Sequence, residues 1–167
     1  AFAELDARYL AGEAAPHART WSVISQAYAG MTRGEVPGTT ADLVNIDHRH
    51  VAPMAPDDGI AYLRASWDIA PEFNLYIEAM HRLSDLGAVF TRWSKGTSRD
   101  GFDAEWRAVD VITVERDLIS RGEIFDEPDL EAALARFDEL SQSRRLENTA
   151  SRIYRRGVAL FEARGRA

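Results

Sequence analysis

Between Phe73 and Phe125 the chain reads as four strand-like runs in close succession. They are FNLYIEAMHRL (Phe73 to Leu83), AVFTRWS (Ala88 to Ser94), DAEWRAVDVITVE (Asp103 to Glu115) and LISRGEIF (Leu118 to Phe125). The separators SDLG, KGTSRDG and RD are turn chemistry. Strands that follow one another at such short intervals pair as antiparallel neighbours by default. A sheet of this kind is hydrophobic on at least one face and needs helices to cover it.

The sequence supplies those helices on both sides of the strands. From His17 to Arg33 the residues Trp21, Ile24, Tyr28 and Met31 recur at helical spacing, and Gly34 follows as a stop. A shorter helix is expected over residues 2–12, ended by Gly12 and Pro16. The turn-rich VPGTTAD leads into LVNIDHRHV (Leu43 to Val51), which alternates like a strand. After Pro53 and Pro56, Asp57 or Asp58 is placed to cap a helix presenting Ile60, Leu63 and Trp67. Beyond the strands, Pro128 opens a helix with Leu130, Leu134, Phe137 and Leu140 in a stripe. A separate last helix is expected to open at Asn148, with Ile153, Tyr154, Val158 and Phe161. The fold class is therefore α+β. The expected organisation is a helical lead-in at 1–16, a domain at 17–141 and a basic helix at 142–167. That last helix resembles the one at 17–35 in spacing and in its Arg-Gly ending, so it reads either as the start of a second copy or as a plain C-terminal helix.

Composition narrows the classes. At 167 residues there is room for one domain with a real core. Cysteine is absent, which removes disulfides, thiolate nucleophiles and cysteine-ligated zinc, and a cytoplasmic location is expected. No apolar run is long enough to span a bilayer, so no membrane partner is expected. Residues 142–167 carry seven arginines against Glu147 and Glu162, so of the net −7 the remaining body holds −12. Such a body repels phosphates and argues against nucleic acid as a partner. Nineteen of the 20 basic residues are arginine, Lys95 being the exception, which reads as coding bias rather than chemistry. The first residue is Ala1 and the last stretch is amphipathic, so the chain reads as a piece of a longer protein. No Gly-rich phosphate loop, Walker pattern or G-x-S-x-G elbow is present, which sets aside nucleotide hydrolysis and serine chemistry.

The order helix, turn, strand, helix and four long strands resembles the nuclear-transport-factor-2-like superfamily, and its SnoaL-like domains in particular. The residues that carry the likeness are WSVISQAYAGMTRGE, VNIDHRH, DDGIAYLRASW and EWRAVDVITVERDLISRGEIFDEPDLEAALARFDEL, over roughly 17–141. The resemblance implies a cystatin-like cone, a curved and mostly antiparallel sheet wrapped by about three helices around a pocket. It also implies a homodimer and an apolar small molecule as partner, with no cofactor. Two readings of function follow: a ligand-binding module that is part of a larger regulatory protein, or a cofactor-free acid–base enzyme of isomerase, cyclase, hydratase or epoxide hydrolase type.

Within that likeness, Asp47 stands where ketosteroid isomerases carry a general base. Asp110 stands where they carry a protonated aspartate that donates to an enolate; that arrangement is described for the isomerase itself. Their enolate-binding tyrosine maps to Ala27, one residue from Tyr28, and one helical residue is about 100° of rotation. Strand alternation puts Asp110 on one face with Trp106, Ala108 and Ile112. An aspartate there either sits in a dry pocket or pairs with a buried partner such as Arg92 or Arg121. An epoxide-hydrolase variant needs an arginine between two aspartates, for which Asp47, Arg92 and Asp110 supply the residue types. Trp21, Trp67, Trp93 and Trp106, with Tyr28 and Arg92, are candidates to line a ligand cavity; ordinary core packing is the plain alternative. His48 and His50 share a strand face as an H-x-H pair without an obvious third ligand, so no metal site is expected. Alternation places His81 on the apolar face of Phe73, Leu75, Ile77 and Ala79.

Overall fold

A computed structural model describes residues 9–50 and 59–164. The chain divides into two compact units, residues 1–134 and 135–167. In the first, α1 (Ala18–Thr32) precedes β1 (Thr39–Asp47) and α2 (Gly59–Ile69). Strands β2 (Asn74–Leu83), β3 (Gly87–Thr97), β4 (Asp103–Glu115) and β5 (Leu118–Asp126) follow. A helix α3 (Leu130–Arg164) begins in the first unit and makes up most of the second. The sheet order is β1-β5-β4-β3-β2. Strands β2 to β5 pair antiparallel in sequence, whereas β1 lies parallel to β5. This is the expected α+β architecture with a mostly antiparallel sheet.

Local chemistry explains the boundaries. Helix α1 ends in a Schellman turn: Glu35 N–H donates to the Gly30 carbonyl at 2.9 Å and Gly34 N–H to that of Met31 at 3.1 Å. Gly34 takes φ +78°, a conformation that residues with a Cβ adopt only under strain. The β4–β5 hairpin turns on Arg116 and Asp117 alone, both at positive φ, which matches the twist of the flanking strands. At the start of β3, Gly87 lies so close to the backbone of Ile112 and Thr113 that a Cβ would collide with it.

Several elements depart from expectation. Strand β1 starts at Thr39, inside the stretch read as a turn, because Thr39 and Thr40 favour extended backbone. It ends at Asp47 rather than Val51. The helix expected to open at Asn148 is a continuation of α3, for no glycine or proline interrupts residues 130–156. The cap expected from Asp57 or Asp58, and most of the helix expected at 2–12, lie outside the described residues.

The face of the sheet that packs against α1, called inner below, holds the main core. Ile24, Tyr28 and Met31 from α1 meet Phe73, Leu75, Ala88, Phe90, Ile112, Val114 and Ile119, with Leu63 and Trp67 of α2 against the cluster. Burying side chains of this size gives about 1.5–3 kcal/mol each, the main term holding the helix on the sheet. Register aligns Phe90, Asp110, Ile124 and Asp47 in one row across β3, β4, β5 and β1. Neighbours in a row point to the same face, so both aspartates belong to the inner side.

Candidate ligand cavity

A cavity of about 130 Å³ lies on the inner face, lined by residues from α1, α2 and all five strands. Met31, Leu43, Ile60, Leu63, Phe73, Leu75, Ile112, Ile119 and Ile124 make most of its wall. Tyr28, Arg92 and Asp110 form its buried polar end, and Asn45, Thr39, Tyr62 and Ser66 add further polar groups.

The polar end is one connected network. Tyr28 Oη donates to Asp110 Oδ2 at 2.6 Å, and Arg92 Nε donates to the same oxygen at 2.7 Å. Arg92 Nη1 donates to Ser94 Oγ at 2.7 Å. Asp110 is 2% exposed and Arg92 8%, so both charges are desolvated and each depends on the other. Asp110 Oδ1 is buried and has no hydrogen-bond partner among the described residues. Burial, then the neighbouring Asp110 charge, lifts the Tyr28 hydroxyl well above the ordinary tyrosine range, so it stays a neutral phenol. For Arg92, burial acts to lower the pKa, but the Asp110 charge leads the opposing causes and the net direction is up. Two donors on one oxygen, one of them a guanidinium, are the pattern of a carboxylate accepting rather than a carboxylic acid donating.

Of the residues singled out from sequence, the structure brings together Tyr28, Arg92 and Asp110. The 100° offset at Tyr28 is absorbed because α1 crosses the sheet with Tyr28 turned inward, its ring edge-on to Phe90 at 5.0 Å. Asp110 has the buried-partner environment, and the partner is Arg92. Asp47 shares the row but not the cavity lining. Arg49 grips it through Nε at 2.9 Å, Nη2 at 2.6 Å and the backbone N–H at 3.0 Å, and the Asp47 side chain is fully buried. Arg92 therefore bridges Asp110 to Ser94, not to Asp47.

None of the four tryptophans lines this cavity. Trp21 is buried edge-on against Tyr9 at 5.0 Å, and Trp67 packs on the core with its Nε1 donating to the Met31 carbonyl at 3.0 Å. Trp106 is on the inner face but stacks on Phe73 at 6.0 Å. Trp93 lies on the opposite face, tilted against Tyr76 at 5.3 Å and donating to Glu105 Oε1 at 2.6 Å. Each indole is spent on packing or a hydrogen bond at its own place in the fold.

His81 corrects the alternation argument. The β2–β3 register shifts between Ile77 and Ala79, so Ala79 and His81 turn to the face of Thr91, whose Oγ1 lies 2.8 Å from His81 Nε2. His48 and His50 also part company. His48 stacks on Phe125 at 4.2 Å and meets Glu123, while His50 lies beyond β1, near Asp126 and Asp129.

The sequence reading missed Ser94, Asn45 and the apolar wall of the cavity. A signal for Ser94 existed, because Phe90, Arg92 and Ser94 alternate onto one face of a strand that is otherwise apolar there. For Asn45 there was none, since its neighbours come from β5 and α2.

No protein-family model and no curated protein sequence matches this chain. Solved structures do. A putative hydroxylase, AclR, from Streptomyces galilaeus superposes with a TM-score of 0.54 at 12% identity, covering 70% of this chain and 85% of its own. The Δ5-3-ketosteroid isomerase of a Mycobacterium species superposes at 0.50 with 17% identity, covering 67% and 95%. TerC, crystallised with polyporic acid, superposes at 0.51 with 17% identity, covering 70% and 98%. A protein from Jannaschia described as a putative SnoaL-like polyketide cyclase and a cystatin-fold protein from Novosphingobium aromaticivorans are similar in the same way. The chain therefore shares the cystatin-like α+β fold of these SnoaL-like and ketosteroid isomerase structures.

Proposed function

We propose that this domain binds a small, largely apolar molecule in the inner cavity, anchored at its polar end by the Tyr28–Asp110–Arg92 cluster. The observation that carries this reading is an apolar cavity of about 130 Å³ ending in a buried carboxylate with one oxygen unpaired among the described residues. A cavity of about 150 Å³ accommodates benzene, so the fitting ligand is about one ring in size. The fold supports the same reading by analogy alone, through relatives whose names record a steroid isomerase and a polyporic acid complex.

The test uses the δ1-methyl NMR signals of Ile60, Ile112, Ile119 and Ile124, all of which line the cavity. A one-ring panel containing cyclohexanol should shift these four and spare isoleucines elsewhere. Leu63→Trp, which fills the space, should suppress the shifts. A panel that leaves all four unmoved sinks the proposal.

A second reading, an acid–base enzyme using Asp47 and Asp110, is favoured by one observation: both aspartates stand in the same inner row. Two strand spacings separate them, about 10 Å. It predicts exchange of α-hydrogens of a cyclic ketone into D2O, lost in Asp110→Asn; wild-type protein that gives no exchange sets it aside. A homodimer is also proposed, with the Tyr76–Trp93 pair on the opposite face as the apolar contribution, since Tyr76 is 37% exposed. Light scattering after size exclusion decides that point, a monomer mass ruling it out.

A further inference from the structure

We infer that the cavity selects a neutral hydroxyl compound, which donates its hydrogen to Asp110 Oδ1. This deepens the binding reading above and depends on it. Tyr28 has one hydroxyl hydrogen, and it is committed to Asp110 Oδ2. Arg92 donates from Nε to that oxygen and from Nη1 to Ser94, two of its five N–H groups. The buried atom of this cluster without a hydrogen-bond partner among the described residues is an acceptor, Asp110 Oδ1. A buried acceptor without a donor is costly, and a ligand hydroxyl relieves that cost.

Charge decides between donors. Arg92 and Asp110 are one cation and one anion in contact at 2.7 Å, so the cluster is already neutral. An ammonium would add a second desolvated cation beside Arg92 without a second anion to balance it. A phenolate or carboxylate would face Oδ1, anion against anion. A ketone offers only an acceptor, to a group that itself only accepts. The polarity is thus the reverse of a site in which the aspartate donates to an enolate oxygen. That reversal follows from Arg92, which holds Asp110 in its accepting form.

Three probes of nearly equal size separate these cases: cyclohexanol, cyclohexanone and cyclohexylamine. Binding is read by titrating the Ile112 and Ile124 methyl signals, since both residues line the cavity and Ile124 pairs with Asp110 across the sheet. The alcohol should bind at least about tenfold tighter than the ketone or the amine, the ratio expected when one buried acceptor is satisfied or left bare. In Asp110→Asn, whose amide also donates, the alcohol-to-ketone ratio should fall to about one or invert.

A readout in unmutated protein guards against a variant that fails to fold. With 13C-carboxyl aspartate, the infrared carboxylate stretch of wild-type protein should shift on adding cyclohexanol and stay put with cyclohexanone. If the ketone binds as tightly as the alcohol while shifting the same methyls, the donor inference is wrong and the binding reading stands. If neither probe moves the methyls, the binding reading itself is wrong and the inference goes with it.

Discussion

Two buried acids stand one residue apart in the register of β4 and β5, on opposite faces of the sheet. Asp110 of β4 pairs with Ile124 of β5, and Glu123 of β5 pairs with Val111 of β4. Both are shut off from water, Asp110 at 2% and Glu123 at 0% exposure, and each has an arginine partner. They differ in what happens to their second oxygen. Glu123 uses both: Arg121 Nη1 donates to Oε1 at 2.9 Å and His48 Nε2 lies 2.8 Å from Oε2. Asp110 crowds Tyr28 and Arg92 onto Oδ2 and leaves Oδ1 without a partner among the described residues, beside a cavity. Burial of a charge is thus common to both; only the unmatched valence beside open space distinguishes a candidate site from a structural pair.

The sharpest way to break this comparison is to remove each arginine. Arg92→Leu should cost about 3–5 kcal/mol in urea unfolding, because it leaves a carboxylate stranded in the core. Arg121→Leu should cost only about 1–2 kcal/mol, since His48 still serves Glu123 and the Arg121 side chain is 23% exposed already. Equal losses would mean that the two acids are equivalent, and Asp110 would lose its special standing.

A paired replacement sharpens the point. Arg92→Met with Asp110→Leu should recover most of the single-mutant loss, because an apolar pair of similar volume is often as stable as a buried ion pair. Ligand shifts at Ile112 and Ile124 should nevertheless change or vanish in that variant. Recovery of stability together with unchanged binding would show that the charges are structural.

Tyr28→Phe should destabilise by about 1.5–3 kcal/mol, the value of a hydrogen bond to a charged group. It should also alter the alkaline limb. The folded-state pKa of Tyr28 is raised above its ordinary 10.0, so its contribution is complete below that pH and is lost as pH climbs through the folded value. Thermal unfolding followed above about pH 10 should therefore slope less steeply in the variant than in wild type. Identical slopes would mean that Tyr28 is not the buried phenol responsible.

The smallest effect belongs to surface pairs. Glu78 with Arg107 and Asp117 with Arg19 lower the carboxylate pKa values, chiefly through the side-chain hydrogen bond. Their stabilisation is present above the ordinary carboxylate range and is lost as pH falls through it. Arg107→Gln should flatten the melting curve between about pH 5 and 3 only slightly, because exposed pairs are screened. A large change there would mean that surface charge outweighs the buried network.

Much of the fold was legible because strand character is local. The bounds Asp103–Glu115 of β4 follow from its own residues, and the β4–β5 turn from Arg116 and Asp117. His81 was not legible, because one register shift turns Ala79 and His81 over and a second, between Met80 and Arg82, turns the strand back, and nothing in IEAMHRL marks where they fall. The pairing of β1 with β5 was not legible either, since it joins residues 77 to 80 positions apart, with no short turn to dictate it.

By itself the sequence determined the α+β class, the antiparallel run from β2 to β5, and an aspartate on the inner face of β4. All three are consequences of period and turn chemistry within a few residues. Tertiary structure alone decided that Tyr28 turns inward, that Arg92 rather than Arg121 meets Asp110, and that Asp47 is taken by Arg49. Those outcomes depend on helix rotation, sheet register and side-chain reach between distant segments. Such quantities are set by the packing of the whole core and leave no trace in local spacing.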